Sequence, residues 1–115
     1  MRKWYIPDCY WHSISNGEFV SHEAVCVLNT TTCDATVNLT MYFEDRDPVG
    51  GYSVVIPAQR TIHIRIDKIK NNECVAVPQD TPYAIVVESE VENLTVQYTR
   101  VDSSQNPLAL CTTIV

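Results

Sequence analysis

The chain has 115 residues, of which 45% are hydrophobic and 19% are charged. This length and composition predict a single globular domain over residues 1–115 and exclude a disordered chain. No apolar run approaches the roughly 20 residues of a membrane-spanning helix. The formal net charge is -6 and the eight Lys and Arg residues are scattered, so we do not expect nucleic acid as a partner.

The N-terminus and the cysteines both indicate the cellular compartment of the protein. The first residues include basic side chains but no apolar h-region, so we expect no secretory signal peptide. The five cysteines are odd in number and form no CxxC pair. Free thiols of this kind are typical of a reducing compartment, and we therefore expect a cytoplasmic protein.

Val, Ile and Thr are far more frequent than Leu and Ala, and their β-branched side chains favour strands. The clearest strand is residues 36–43, where apolar and polar residues alternate with a period of two. We interpret residues 4–12 as a loop rich in aromatic side chains. In chain order, we predict strands at residues 20–29, 36–43, 52–56, 61–66, 84–87, 94–100 and 109–115.

Turn signals rich in Asn, Asp, Gly and Pro separate these segments. No segment shows the apolar stripe of a helix, and at most one short helical turn is expected, near residues 66–71. Seven or eight short strands at this spacing predict an all-β fold, either a sandwich or a barrel.

The residues that usually hold metals or nucleotides are missing or dispersed. The histidines, His12, His22 and His63, lie on three different segments without the spacing of a zinc site. The chain has only three glycines, and they form neither a Walker loop nor a GxGxxG motif. We therefore expect neither a metal nor a cofactor.

Two groups of acidic residues are candidates for acid–base chemistry. Glu88, Glu90 and Glu92 would share one face of a strand, and Glu23 follows His22 directly. A solvated sheet edge explains the first group more simply. We expect a protein that is not an enzyme, and a small carbohydrate-active lyase or isomerase is the alternative.

Polar and charged side chains also collect on the predicted strands. Arginine, histidine and amide groups beside tyrosines suit a polyol, carboxylate or phosphate ligand. The same groups could form a polar interface between subunits, and the pattern does not separate the two. The residues concerned are Ser21, His22, Glu23, Arg60, His63, Arg65, Gln97, Arg100 and Asp102.

Four blocks in order resemble the sensory rhodopsin transducer family, whose first-described type couples to a light-sensing membrane rhodopsin. They cover nearly the whole chain, so the resemblance is more specific than any single motif. The blocks are SHEAVCVLN (residues 21–29), YFEDRDPVGGYSVVIPAQRTIHIRID (42–67), VPQDTPYAIVVES (77–89) and VQYTRVDSSQ (96–105).

The resemblance implies an antiparallel, jelly-roll-like β-sandwich that assembles as a homotetramer in bacteria. It also implies a non-catalytic role in signalling or in binding a small polar ligand such as a sugar or sugar acid. The blocks carry over these ligand-binding candidates: Ser21, His22, Glu23, Asn29, Arg60, His63, Arg65, Gln97, Arg100 and Asp102.

A second hypothesis is an adaptor that docks on a membrane receptor or another protein. The polar clusters would then be interface, and exposed aromatic residues such as Trp4 and Trp11 would be anchors. Residues 4–12 follow the family's opening only loosely, with Cys9 and His12 where Gly and Pro are usual. Members usually extend beyond the position of Val115, so the resemblance implies a flexible tail after it.

Overall fold

The protein forms two antiparallel four-stranded sheets packed face to face, in a computed structural model that describes residues 1–105 and 107–115. Sheet A has the strand order β1-β6-β3-β4, and sheet B has the order β5-β2-β7-β8. The predicted all-β sandwich is confirmed. The strands are β1 (Arg2–Cys9), β2 (His22–Asn29), β3 (Ala35–Phe43), β4 (Val49–Ile56), β5 (Arg60–Arg65), β6 (Tyr83–Ser89), β7 (Leu94–Asp102) and β8 (Ala109–Ile114).

One apolar core lies between the two sheets. In β3 the alternation predicted from the sequence directs Val37, Leu39 and Met41 inward, and all three are fully buried. Tyr83, Ile85 and Val87 of β6 and Val25 and Val27 of β2 meet them in the same cluster. Full burial of one such aliphatic side chain stabilises the fold by about 1.5–3 kcal/mol.

Residues 2–9 form an edge strand, β1, where the sequence had predicted a loop. Trp4 and Ile6 point into the core, and the pairing with β6 becomes irregular between Ile6 and Cys9. Pro7 lies at this irregularity, where the missing N–H of proline removes no ladder hydrogen bond. The interpretation of Trp4 as an exposed anchor was wrong, because its side chain is only 2% exposed. Trp11 is partly buried.

The segment after β5 makes a hydrogen-bonded turn, in which the Lys68 N–H donates to the Arg65 carbonyl at 3.1 Å. No helix occurs in the residues that the structure describes, so the expected helical turn near residues 66–71 is a simple turn. The chain then returns along β4, where the Asn72 N–H donates to the Gly51 carbonyl at 3.1 Å. Gly51 has a φ of 84°, and a Cβ on it would lie 2.3 Å from Asn72 Oδ1.

Candidate functional site

A buried carboxylate lies near the start of β2 and is held from both sheets. Glu23 is 0% exposed. Its Oε1 accepts a hydrogen bond from the Tyr83 hydroxyl of sheet A, and its Oε2 accepts one from the Tyr98 hydroxyl of sheet B. The Tyr10 N–H also donates to Oε2, at 2.9 Å. Three donors compensate the cost of removing this charge from water.

The groups around Glu23 remain protonated. Burial first, and then the negative charge of Glu23, raise the pKa values of the Tyr83 and Tyr98 hydroxyls well above the ordinary value. The same two causes raise the pKa of the Cys9 thiol. The two hydroxyls therefore act as hydrogen-bond donors, and Cys9 is not a nucleophile.

Arg100 continues this network toward solvent. Its Nε donates to the Tyr98 hydroxyl oxygen at 3.1 Å, and its Nη2 donates to the Asp8 carbonyl at 2.8 Å and to Asp8 Oδ1 at 3.2 Å. Burial alone would lower the pKa of Arg100, but Tyr98 and Asp8 outweigh it and raise that pKa. The guanidinium is therefore charged and held from two sides. Within residues 1–105 and 107–115, its Nη1 has no hydrogen-bond partner.

A groove of about 270 Å³ runs between β1 and the inner face of β7 and β8. Tyr5, Pro7 and Asp8 line one side of it. Arg100, Cys111 and Thr113 line the other. The volume is slightly below the range of about 300–1,000 Å³ that is usual for ligand pockets. We refer to this depression as the β1–β8 groove.

Two of the predicted site residues meet on the opposite, outer face of sheet B. His63 of β5 and Gln97 of β7 are both register partners of Cys26 in β2. Together they line a second depression of about 350 Å³, with Thr61 and Thr95. The sheet separates this depression from Arg100, because Gln97 and Arg100 point to opposite faces of β7.

The other two arginines among the predicted site residues, Arg60 and Arg65, do not line either depression. Arg65 forms a two-bonded ion pair with Asp67, with both N–O distances at 2.8 Å. Arg60 is exposed, is the register partner of Asn29, and donates from Nη1 to the Gln59 carbonyl at 2.9 Å.

Ser21 holds the long β1–β2 loop, residues 10–21, against the end of β7. Its hydroxyl donates to the Ile14 carbonyl at 2.8 Å and accepts from the Ser103 N–H at 3.0 Å. The Ser103 hydroxyl donates to the Phe19 carbonyl at 2.6 Å. Ser21 is buried, so its contacts are those of a structural residue.

Asn29 closes the other end of β2 in the same manner. Its Nδ2 donates to the carbonyls of Cys33 at 2.8 Å and Ile56 at 3.1 Å, and its Oδ1 accepts from the Thr31 N–H at 3.0 Å. The side chain is fully buried. No donor or acceptor of Asn29 is left for a ligand.

His22 and Asp102 lie near the β1–β2 loop. His22 Nδ1 is 2.8 Å from the Val20 carbonyl oxygen. Asp102 Oδ2 is 3.1 Å from His12 Nε2, and Asp102 Oδ1 accepts from the Ser104 N–H at 2.9 Å. The hydrogen bond from the Ser104 side chain is the main cause that lowers the pKa of Asp102.

Comparison with known proteins agrees with this architecture. The model of the family described as Anabaena sensory rhodopsin transducer matches residues 1–115. The chain belongs to this transducer family. No curated protein sequence matches it.

Two solved structures are similar to this member of the transducer family. "Crystal Structure of Thermotoga maritima 1070" is 37% identical, with a TM-score of 0.86, over 98% of this chain and 90% of that one. "Anabaena sensory rhodopsin transducer" is 41% identical, with a TM-score of 0.75, over 88% of each chain. At these identities the likeness extends to the family as well as to the fold.

The transducer-family chain contains no helix that could cross a membrane, as far as its described residues extend. Among the same residues, no group of three or more His, Cys, Asp or Glu side chains is arranged to hold a metal ion.

Sequence reasoning missed three residues of the network. Tyr98 shares a face with Arg100, since the two lie two positions apart in one strand, and this signal was present in the sequence. Tyr83 lies in the third block of the family resemblance without any sign of its partner. Asp8 carried no signal, because its position beside Arg100 depends on β1 being a strand.

Proposed function

We propose that the protein is a non-catalytic signalling domain that binds a small polar ligand in the β1–β8 groove. Membership of the transducer family supports the signalling role. The observation that carries the ligand site is Arg100, whose side chain is 22% exposed and anchored at Nε and Nη2. Because Nε and Nη2 already hold the guanidinium in place, Nη1 can bind a ligand with little further loss of side-chain entropy.

The groove pairs a donor with an acceptor. Asp8, whose side chain is 92% exposed, presents a carboxylate next to the Arg100 guanidinium. Such a pair can accept from one hydroxyl group of a ligand and donate to the next. The Tyr5 ring and Pro7 offer apolar surface beside it. A sugar or a sugar acid has this combination of groups.

The state of Glu23 supports a non-catalytic role. A general base must reach its substrate by a hydrogen bond or through one water molecule. Glu23 is fully buried and its two oxygens already accept three hydrogen bonds from Tyr10, Tyr83 and Tyr98. The carboxylate therefore links the two sheets through hydrogen bonds, as a tie between them, and does not act as a base.

A thermal-shift screen with monosaccharides, sugar acids and sugar phosphates tests the proposal. A ligand at 100 times its Kd adds about 2.7 kcal/mol to the folded state. In a domain of this size, we expect the melting temperature to rise by several degrees, at roughly 4–8 °C per kcal/mol for the smallest domains and less for larger ones. Arg100→Lys should abolish the rise.

Arg60→Ala is the matched control, because Arg60 is exposed and its side chain donates to the carbonyl of the neighbouring Gln59. It should leave the shift unchanged. A ligand whose shift survives Arg100→Lys but is lost in Gln97→Ala would move the site to the outer face of sheet B. A screen without any shift would contradict the ligand-binding proposal.

The β1–β2 loop supports a second candidate, an adaptor for a membrane receptor or another protein. Ile14, Phe19 and Val20 are each more than half exposed, although Ser21 and Ser103 hold the loop firmly. A rigid loop with apolar tips fits a protein-docking surface. The relative named a sensory rhodopsin transducer points to a receptor as such a partner.

Co-purification with a membrane receptor from the same cells would test the adaptor role. We expect Phe19→Ser to release the receptor, and Val55→Ser, an exposed apolar residue of sheet A, to retain it. Equal retention by both variants would contradict docking through this loop.

We further propose that the domain acts in the bacterial cytoplasm as a homotetramer. The family resemblance and the free thiols support these assignments. Sedimentation of the purified protein measures the number of subunits, and fractionation of cells that express it measures its location.

A further inference from the structure

The depression on the outer face of sheet B has the dimensions of a ligand site. It is the one that His63 and Gln97 line, with a volume of about 350 Å³. This volume lies within the range of about 300–1,000 Å³ that is usual for ligand pockets. We refer to it as the outer depression. Because sheet B lies between it and Arg100, a ligand here would not depend on the site proposed in the β1–β8 groove.

One row of four residues crosses the sheet through the outer depression. Cys26 of β2 is the register partner of His63 in β5 and of Gln97 in β7, and Gln97 is the partner of Ile114 in β8. Neighbouring strands are about 4.8 Å apart, so the row spans roughly 14 Å. Cys26 and Gln97 are half-buried, whereas His63 and Ile114 are exposed. The two inner residues therefore form the floor, and the two outer residues form opposite sides.

A second row closes one end of the outer depression. Leu28 of β2 is the register partner of Thr61 in β5 and of Thr95 in β7, and all three residues are exposed. This row lies two positions along the strands from the first, which is a distance of about 7 Å. The Thr61 hydroxyl donates to the Val27 carbonyl at 3.3 Å, so its oxygen can still accept a hydrogen bond from a ligand.

The charge of the lining indicates the charge of the ligand. The chain has a net charge of -6, yet none of the described residues that line the outer depression is Asp, Glu, Lys or Arg. Burial raises the pKa of the Cys26 thiol, which therefore stays uncharged. Arg65, on the same face of β5 as His63, is neutralised by its ion pair with Asp67. An ion bound here would lose its hydration without meeting an opposite charge, so the lining suits an uncharged molecule.

The side chains of the floor and the sides indicate the shape of the ligand. The Gln97 carboxamide presents a carbonyl acceptor and an N–H donor side by side. A carboxamide of this kind pairs through two hydrogen bonds with the edge of a heterocycle that carries a donor next to an acceptor, as glutamine does with adenine. The His63 imidazole can stack on the face of such a ring. Ile114, 72% exposed, and Leu28, 43% exposed, add apolar surface beside it.

We propose that the outer depression is a second ligand site, which binds an uncharged planar heterocycle such as a free purine or pyrimidine base. Gln97 pairs with the edge of the base, and His63 and Ile114 contact its two faces. A nucleotide fits less well, because its phosphate would meet the net negative charge of the chain without a cation in the lining. A sugar has no aromatic face for His63, and the Asp8–Arg100 pair of the β1–β8 groove suits it better.

Calorimetric titration of the purified protein with adenine, cytosine and uracil, at about pH 8, tests the site. The wild type should bind at least one of these bases. Gln97→Leu keeps the approximate size of the side chain but removes its donor and acceptor, and it should weaken binding at least tenfold. Gln79→Leu makes the same change at an exposed glutamine in the segment between β5 and β6, and it should leave the affinity unchanged. Circular dichroism with thermal unfolding shows that both variants are folded.

Two further variants separate the outer depression from the β1–β8 groove. Cys26→Leu fills the floor and keeps every hydrogen-bonding group of the lining side chains His63, Gln97 and the threonines, so it should also block the base. Arg100→Lys should leave binding of the base unchanged. A wild type that binds none of the bases, equal affinities for the Gln97→Leu and Gln79→Leu proteins, or loss of the base in Arg100→Lys would each overturn the proposal. Tighter binding of adenosine monophosphate than of adenine would also overturn it, because the site would then prefer a charged ligand.

Discussion

Tyr83 and Tyr98 belong to opposite sheets, yet both donate a hydrogen bond to the buried carboxylate of Glu23. The two tyrosines lie 60 and 75 positions after Glu23 in the chain. One carboxylate therefore joins β2, β6 and β7 at the end of the sandwich where Arg100 and Asp8 meet. The position of Arg100 in the groove depends on this tie, because its Nε bonds to the Tyr98 hydroxyl.

We expect Glu23→Gln to lower the free energy of unfolding by roughly 2–3 kcal/mol. The amide keeps the size of the side chain but loses the charge that strengthens three hydrogen bonds, each of the class worth about 1.5–3 kcal/mol. Urea unfolding at neutral pH measures the change. Glu73→Gln, an exposed glutamate, should change the stability by less than about 0.5 kcal/mol. A Glu23→Gln protein as stable as this control would contradict the role of the carboxylate as a tie.

Tyr98→Phe should be more damaging than Tyr83→Phe. Each substitution removes one hydroxyl that donates to Glu23, at a cost of about 1–3 kcal/mol. Tyr98→Phe also removes the acceptor of Arg100 Nε, so a second polar group loses its partner. Urea unfolding of both variants compares the two. In the ligand screen, Tyr98→Phe should weaken ligand binding and Tyr83→Phe should not. The reverse order would show that Arg100 is not part of the ligand site.

Stability should fall on the acid side because of two aspartates near the β1–β2 loop. Hydrogen bonds from Ser13 to Asp80 and from Ser104 to Asp102 lower the pKa values of these carboxyls below the ordinary 3.8. A lowered pKa in the folded state contributes stability that is present above the unfolded pKa and lost as the pH falls through the folded pKa. Unfolding measured from pH 6 down to pH 2 should therefore show a loss that begins near pH 4.

Asp80→Asn is the variant that isolates this effect. It removes one of the carboxyls whose pKa is lowered, so the stability should depend less steeply on pH below about 4 than in the wild type. Asp47→Asn, at an exposed site, is the control for the same change of charge. Identical profiles for all three proteins would show that the Ser13–Asp80 bond contributes nothing.

Gly51→Ala should lower the free energy of unfolding by about 1 kcal/mol or more. Its φ of 84° is unfavourable for any residue with a Cβ, and the added atom would lie 2.3 Å from Asn72 Oδ1. The Asn72 side chain must move for the alanine to fit. Gly17→Ala shares the positive φ but has open space around it, so it reports the backbone cost alone. Equal losses in the two variants would show that the contact with Asn72 is unimportant.

Much of the fold followed from periodicity. The alternation in residues 36–43 correctly directed Val37, Leu39 and Met41 inward, because local backbone geometry alone makes neighbouring side chains point to opposite faces. Strand β1 was missed, because Pro7 and the aromatic residues around it resemble a loop. As an edge strand with an irregularity, β1 tolerates a proline that a central strand would not.

The candidate site was predicted less completely. Arg100 and Glu23 were both chosen from the sequence, but the residue that joins them, Tyr98, was not. Gln97 and Arg100 were both chosen as ligand contacts, although the same alternation that predicted the strand places them on opposite faces. Ser21 and Asn29 were chosen as ligand contacts, and their polar atoms are bonded to backbone groups of their own loops and of neighbouring segments, at Ser103 for Ser21 and at Ile56 for Asn29.

The sequence by itself determined the fold class, the faces of most strands and the family, since these depend on local alternation and on blocks of adjacent residues. The tertiary structure alone decided which polar residues meet. Glu23 finds its partners across two sheets, and Arg100 finds Asp8 at a separation of 92 positions. Contacts of this range depend on the order in which strands pair, and local side-chain preferences carry no information about that order.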